Sequence, residues 1–326
     1  MTFPYDNQSQ KVRSISTSDV DELSLFQINK NRRYTQLHKG QLKGDYLEEN
    51  LGDVQIFRES LNAGALIEAA PVSSFLPFAA VISNADNFNY CGKARAKNTI
   101  LQATGGFWDA SFKHNLTFVV AAFNREKFNQ DVEYLTGEEV PNDWLVSKAS
   151  LTEPYVLKTY AHSLDNLLSL IKNRPNILTK DNAQRMLADS ILRLVVEVLN
   201  QTTPVIKKNV TQSNKRQGVR RVIDYLHNYA EQVPTLSELC NIAKLSERNL
   251  QYGFNDYLGI TPIRYLRLVR LNGVKRDLLL SHPNKNRIVD IALNWGFIEL
   301  GRFAGEYRQL FQELPSATLN NVTVSC

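Results

Sequence analysis

Pro234-Thr235-Leu236-Ser237-Glu238-Leu239-Cys240-Asn241-Ile242-Ala243-Lys244-Leu245-Ser246-Glu247-Arg248-Asn249-Leu250-Gln251-Tyr252-Gly253-Phe254-Asn255-Asp256-Tyr257-Leu258 reads as two short helices joined by a tight turn. Thr235 is placed to cap the first helix, and Glu238 three residues on completes a capping box. Lys244-Leu245 makes the turn. Ser246 then caps a second helix in which Leu250, Phe254 and Leu258 recur at the spacing of a buried face, leaving Arg248, Asn249, Gln251, Tyr252 and Asn255 outside. A helix pair of this shape lays its second member in a major groove, with the residues near its start toward the base edges. One copy is weak evidence, because helix pairs of this kind also occur without DNA.

A second copy strengthens the reading. Ile288 to Asn294 forms a short helix, Trp295-Gly296-Phe297 a turn, and Ile298 to Phe311 another helix with Phe303, Tyr307 and Leu310 inward. Between the copies, Pro262 suits the first turn of a helix running to about Leu280. At 1.5 Å per residue that helix spans roughly 28 Å, close to the ~34 Å that separates successive major-groove sites on one face of a duplex.

Charge is distributed unevenly. Residues 205–326 hold 17 Lys and Arg against 10 Asp and Glu, a net of +7, which leaves −2 for residues 1–204. This suits a phosphate-binding end joined to a domain that does not meet phosphate. Cys91, Cys240 and Cys326 are far apart, and the first residues show no basic segment followed by an apolar one. The longest apolar runs fall short of the roughly 18 residues of a membrane helix. The expectation is a cytoplasmic protein with reduced thiols and no membrane partner.

Upstream, Val54-Gln55-Ile56-Phe57, Phe78-Ala79-Ala80-Val81-Ile82, Thr99-Ile100-Leu101 and Thr117-Phe118-Val119-Val120 are short β-branched and aromatic runs separated by Gly64, Pro71, Gly92 and Gly105-Gly106. They predict a sensor domain over 1–150 built as a small β-barrel or sandwich. The period then becomes helical, with Leu164, Leu167, Leu168 and Ile171, then Leu187, Ile191, Leu194, Val195 and Val198 after the capping candidates Thr179 and Asp181. These apolar faces pack on the β domain or form the seam of a homodimer. The polar stretch 201–217 reads as a linker, with Lys207, Lys208, Lys215 and Arg216 in solvent or, as the alternative, against DNA, ahead of the reader domain at 218–326. The fold class is α+β: a β domain, a helical connector over 151–200, and an all-α double helix-turn-helix end.

Leu239 to Ser246, then Gly259-Ile260-Thr261-Pro262-Ile263-Arg264-Tyr265-Leu266 and Arg270-Leu271, then Ile291-Ala292-Leu293-Asn294-Trp295-Gly296-Phe297 follow one another in a recognisable order. In these motifs the chain resembles the AraC/XylS family of transcriptional regulators over about 217–319. The ending Phe303 to Ser316 looks most like the ethanolamine-operon regulator branch. Cys240 stands where that family usually has Ala, Lys244 where Gly is frequent, and Gln312 where Gly usually closes the last long helix. The resemblance implies DNA contacts from Arg248, Gln251 and Tyr252, with Asn249 beside them, in the first reader. In the second it implies Glu299, Gly301, Arg302 and Gly305. Arg can bond two acceptors on guanine and Gln can do so on adenine, whereas the two glycines carry no base-reading group. Arg264, Arg267 and Arg270 on the connecting helix are expected to meet phosphate or local carboxylates.

Catalytic and metal chemistry find little support. His38, His114, His162, His227 and His282 are scattered without ligand spacing, and no nucleophile elbow, phosphate loop or dinucleotide motif appears. His162 and Asp165 lie one helical turn apart as surface polarity. Gly105-Gly106-Phe107-Trp108, with Phe112, borders a ligand pocket or, more simply, forms a turn and core packing. The expected protein is a non-enzymatic transcription regulator without cofactor or metal, binding double-stranded DNA and responding to a small effector. RNA polymerase is a further partner. The alternatives are a ligand-binding or oligomerisation scaffold with a DNA-binding end, and an enzyme fused to one.

Overall fold

The computed structural model of the chain describes residues 12–321 other than 28–29, 71–73, 83–87, 96–97, 103–105, 179–180, 205–209 and 283–286. Pro71, Gly105, Thr179, Lys207, Lys208 and Cys326 therefore lie outside the described residues. The N-terminal part holds β1 (Val12–Thr17), α1 (Val20–Phe26), β2 (Arg32–Gln36), β3 (Gly44–Asn50), β4 (Val54–Leu61), β5 (Ala65–Ala69), β6 (Phe75–Val81), β7 (Phe88–Tyr90), β8 (Lys93–Ala94), β9 (Thr99–Gln102), β10 (Trp108–Phe112) and β11 (Leu116–Asn124). Then come α2 (Arg125–Thr136), α3 (Asn142–Val146), β12 (Ala149–Leu151), α4 (Pro154–Asn173), α5 (Asp181–Asn200) and β13 (Thr203–Pro204). The C-terminal part is helical: α6 (Val210–Tyr229), α7 (Leu236–Ala243), α8 (Glu247–Leu258), α9 (Pro262–Leu279), α10 (Ile288–Asn294), α11 (Leu300–Phe311) and α12 (Pro315–Asn321).

The strands form two antiparallel sheets, ordered β1-β3-β4-β11-β6-β9-β12-β13 and β2-β5-β10-β7-β8, so the β domain is a sandwich and not a closed barrel. Four layers result: α2 to α5, the larger sheet, the smaller sheet, and the C-terminal helices. Strand β11 shows why. Phe118, Val120 and Ala122 point into the core between the sheets, while Val119, Ala121 and Phe123 point into the core under α4 and α5. A strand covered on both faces has no polar alternation, which is why this run is continuously apolar.

Leu164, Leu168, Ile191 and Val195 are all essentially inaccessible, packed against the larger sheet within the same chain. Intrachain packing thus accounts for the helical periodicity, and these four side chains form no exposed seam. Asp165 pairs with Arg58 at 2.6 Å. Trp108 and Phe112 belong to the core between the sheets, with the Arg32 guanidinium 4.3 Å from the Trp108 ring centroid.

The structure departs from the expected linker. Thr203–Pro204 pairs with β12, and 210–217 are the first turns of α6. Gly218, just past the expected linker, sits inside that helix where a methyl group would press on Leu245 and the Ala243 carbonyl. Its role is close approach between α6 and the turn after α7, a use of glycine that mimics a chain break in the sequence. Strands β1 to β3 had no signal because charges interrupt them. Glu48 in β3 is buried where Lys30 meets it at 2.6 Å, Arg13 at 3.6 Å, and the Tyr46 hydroxyl donates to its carboxylate at 2.5 Å.

Central to the C-terminal layer, α9 buries Tyr265, Leu266, Leu268, Val269, Leu271, Val274 and Leu278. Burial on nearly all sides removes the amphipathic stripe expected of a surface helix. Gly273 lets the Trp295 ring lie directly against it, since a methyl there would collide with the indole.

Candidate nucleic-acid interface

The first reader forms as its residues dictate. The Thr235 side chain accepts from the Glu238 N–H, and the Glu238 carboxylate accepts from the Thr235 N–H at 2.7 Å. That backbone bond also holds the Glu238 carboxyl below its usual range. Lys244 closes α7 at φ +55°, with the Leu245 N–H bonded back to Cys240 at 3.2 Å, so a lysine takes the left-handed position that glycine commonly fills. Ser246 accepts from the Asn249 N–H and starts α8.

On α8, Leu250, Gly253 and Phe254 face inward, while Arg248, Gln251 and Tyr252 are exposed. The Arg248 guanidinium lies 5.6 Å from the Tyr252 ring centroid, and the Gln251 amide donates to Glu247 at 3.0 Å. Asn249 is only half exposed. Asn255, exposed and one turn past Gln251, extends this face. Its i+4 and i+7 spacing from Gln251 and Arg248 was the available signal, and the family-derived residue set passed it over.

The second reader is held differently. Gly296 takes φ +71° and the Phe297 N–H bonds to Ala292 at 2.9 Å, which turns the chain from α10 into α11. The helix begins at Leu300, two residues later than its periodicity suggests, and the Glu299 side chain makes no capping bond. Around Gly301 and Gly305 the space is open: a methyl at either would touch nothing within 4 Å. Arg302 is exposed but tied, its Nε donating to Glu306 at 3.1 Å with Glu299 3.8 Å away. Arg267 of α9 grips the same Glu306. Burial pushes the Glu306 carboxyl up, and the two arginines bring it below the usual range.

The three arginines of α9 therefore part company. Arg264 is exposed on the first turn. Arg267 meets a local carboxylate, as expected. Arg270 meets neither carboxylate nor solvent: it is buried, donates to the Trp295 carbonyl and stacks 4.4 Å from the Phe297 ring centroid, and burial lowers its pKa to about 10. Its work is to hold the turn before α11.

Both readers also lean on the smaller sheet of the sandwich. The Tyr257 hydroxyl at the end of α8 donates to Asp109, and its carbonyl accepts from Asn89 at 3.0 Å and Ser111 at 3.4 Å. Glu68 pairs with His227 of α6 at 2.5 Å and with Arg33 at 3.0 Å. Asn272 of α9 bonds both the N–H and the carbonyl of Gln36 at 3.0 Å, completing the free edge of β2 as a neighbouring strand would. The Leu310 carbonyl of α11 accepts from the Gly40 N–H at 2.9 Å. No periodicity argument could have found these pairs. Among the described residues no cluster of three or more His, Cys, Asp or Glu is placed to hold a metal ion, and no helix is long and apolar enough to cross a membrane.

Two helix pairs hung from one central helix, the first of them capped by Thr235 and Ser246, define a double helix-turn-helix protein. Residues 239–321 match the family described as "Helix-turn-helix domain". The chain is 31% identical over 144 residues to the XylDLEGF operon transcriptional activator 2 of Pseudomonas putida, covering 43% of this chain and 90% of that protein. It is 41% identical over 104 residues to the probable thc operon regulatory protein of Rhodococcus erythropolis, a match of 32% of this chain and 31% of that protein, so only about a third of that relative's length is spanned. The crystal structure of a probable AraC family transcriptional regulator from Rhodopseudomonas palustris CGA009 shares 30% identity over 32% of this chain and 96% of that one, with a TM-score of 0.30. The chain belongs to the AraC/XylS family of transcriptional regulators.

Proposed function

We propose that this protein is a sequence-specific, double-stranded-DNA-binding transcription activator of the cytoplasm. Residues 218–326 read DNA, residues 1–150 sense a small effector and 151–200 connect the two. The observation that carries this reading is the exposure of Arg248, Gln251 and Tyr252 on one helix and of Arg302 on another, both packed on the same buried α9. At about 27 Å for its 18 residues, α9 spaces the readers for two successive major grooves. Arg248 and Gln251 supply the groups that read guanine and adenine, with Asn249 and Tyr252 beside them. Arg302 reads from α11, whose Glu299, Gly301 and Gly305 admit the duplex closely, and Arg264 meets phosphate.

RNA polymerase is the partner an activator needs, a homodimer is the assembly that a two-half operator would call for, and the ending Phe303 to Ser316 supports a place near the ethanolamine-operon branch. No catalytic step is assigned. The test is a footprint of the full chain on selected duplex: two protected blocks on one face, centred about 10–10.5 base pairs apart, are expected. One continuous block shorter than a helical turn overturns the two-reader assignment.

A further inference from the structure

The contact between sandwich and helices has a rim, and at one point the rim is strongly positive. Ser111 of β10 donates to the carbonyl of Tyr257 at the end of α8. Lys113 and His114 follow in the β10–β11 turn, Lys113 about 7 Å further along the chain at the rise of a strand, and both are exposed. From the other side, the His38 N–H donates to Gly64 at 3.1 Å, and Gly64 is pressed between the His38 ring and the Lys113 carbonyl. Arg264, on the first turn of α9, begins seven residues past Tyr257 and is exposed as well.

Among the described residues, the charges that act on His38 are those of Lys113, His114 and Arg264, all of one sign. Burial first, then these neighbours, push its pKa down. Like charges gathered this closely repel one another at low ionic strength, and an anion laid across them reverses that cost.

We propose that Lys113 and His114 of the sandwich join Arg264 in a clamp for the phosphates that border the groove read by α8. The inference rests on the DNA-binding reading above and adds to it a contact from the N-terminal domain. Distance favours the same duplex: nine residues of helix separate Arg248 from Tyr257, about 14 Å, comparable with the ~12 Å width of a major groove. Cations at the far end of α8 therefore stand where a groove wall passes. Phosphate contacts set register and affinity and carry no base information, so the sandwich strengthens binding to every sequence alike. An effector that shifted the sandwich would then alter grip without altering preference.

The experiment measures binding of the full chain to one duplex between 0.05 and 0.3 M salt, a range on the order of that used for counterion analysis. Lys113→Ala is expected to lower the log–log salt slope by about 1 and to weaken binding about fivefold near 0.15 M salt, with the gap closing toward 1 M. Arg264→Ala does the same. Lys158→Ala, which removes one exposed charge from α4 on the opposite layer, leaves the slope unchanged, and Arg248→Ala relaxes sequence preference. Equal melting midpoints for the exposed-site variants confirm that folding is not the cause. Parental slope and affinity in Lys113→Ala overturn the clamp while leaving the DNA-binding reading intact. A full chain that binds no duplex overturns both.

Discussion

At the first reader, Arg248, Gln251, Tyr252 and Asn255 stand clear on one face of α8, and the far end of that helix is bolted to the sandwich through Tyr257. At the second, Gly301 and Gly305 leave α11 almost bare, and its Arg302 is already engaged by Glu306 and Glu299. The same helix-turn-helix plan thus serves two ends. Under the proposed function, the helix with four outward polar side chains is the one expected to discriminate bases, and the bare helix with a tethered arginine is expected to discriminate less. Side chains of β7 and β10 join the first reader to the sandwich, and the Gln36 amide of β2 joins the second by donating to the Leu310 carbonyl at 3.1 Å, so both are tied to the β domain.

The sharpest way to break this comparison is to unseat α8. Tyr257→Ala deletes a buried aromatic between sandwich and reader and should cost about 3–5 kcal/mol of unfolding free energy, measured by chemical denaturation. A loss below about 1 kcal/mol would show that the junction is not close-packed.

Next in size is the partner of that tyrosine. Burial raises the Asp109 pKa from 3.8 to about 6, against the opposing bond from the Tyr257 hydroxyl. The folded state therefore holds its proton where the unfolded state has released it, and stability should fall as pH rises from about 4 to 6, then level off. The full excursion is about 3 kcal/mol. Asp109→Asn should flatten the profile in that window, and an unchanged profile would assign the titration to another group.

Discrimination comes third. Arg248→Ala or Gln251→Ala should cost about 1–3 kcal/mol against the preferred bases. Arg302→Ala should cost less, since its guanidinium must first leave Glu306. Selection from randomised duplex reads both as information content in two blocks, and equal losses would erase the distinction between readers. The smallest effect concerns the caps. Lys244 at φ +55° and Gln312 at φ +58° hold left-handed backbone, so replacing either with Gly should stabilise the fold by under about 1 kcal/mol. Loss of stability instead would mean that the side chain contributes more than its conformation costs.

Much of the candidate interface is legible in the sequence. Thr235 with Glu238, Ser246, Pro262 and Gly296 mark element ends within a few residues of themselves, and each does in space what its local chemistry suggests. The smaller sheet is the counterexample. Glu68, Asn89, Asp109 and Ser111 interrupt apolar strands as a solvent-facing row would, yet Glu68, Asp109 and Ser111 are buried, because the C-terminal helices cover that face.

Helix caps, reader faces and the continuous run of β11 were determined by sequence alone, since a cap acts over three or four residues and a periodicity over ten. Which face of each strand meets water was decided only by tertiary structure. Asp109 and Tyr257 are 148 residues apart, and Gln36 and Asn272 are 236 apart. A polar side chain carries the same pattern whether its partner is water or a distant helix, so only the folded chain distinguishes an exposed edge from a domain junction.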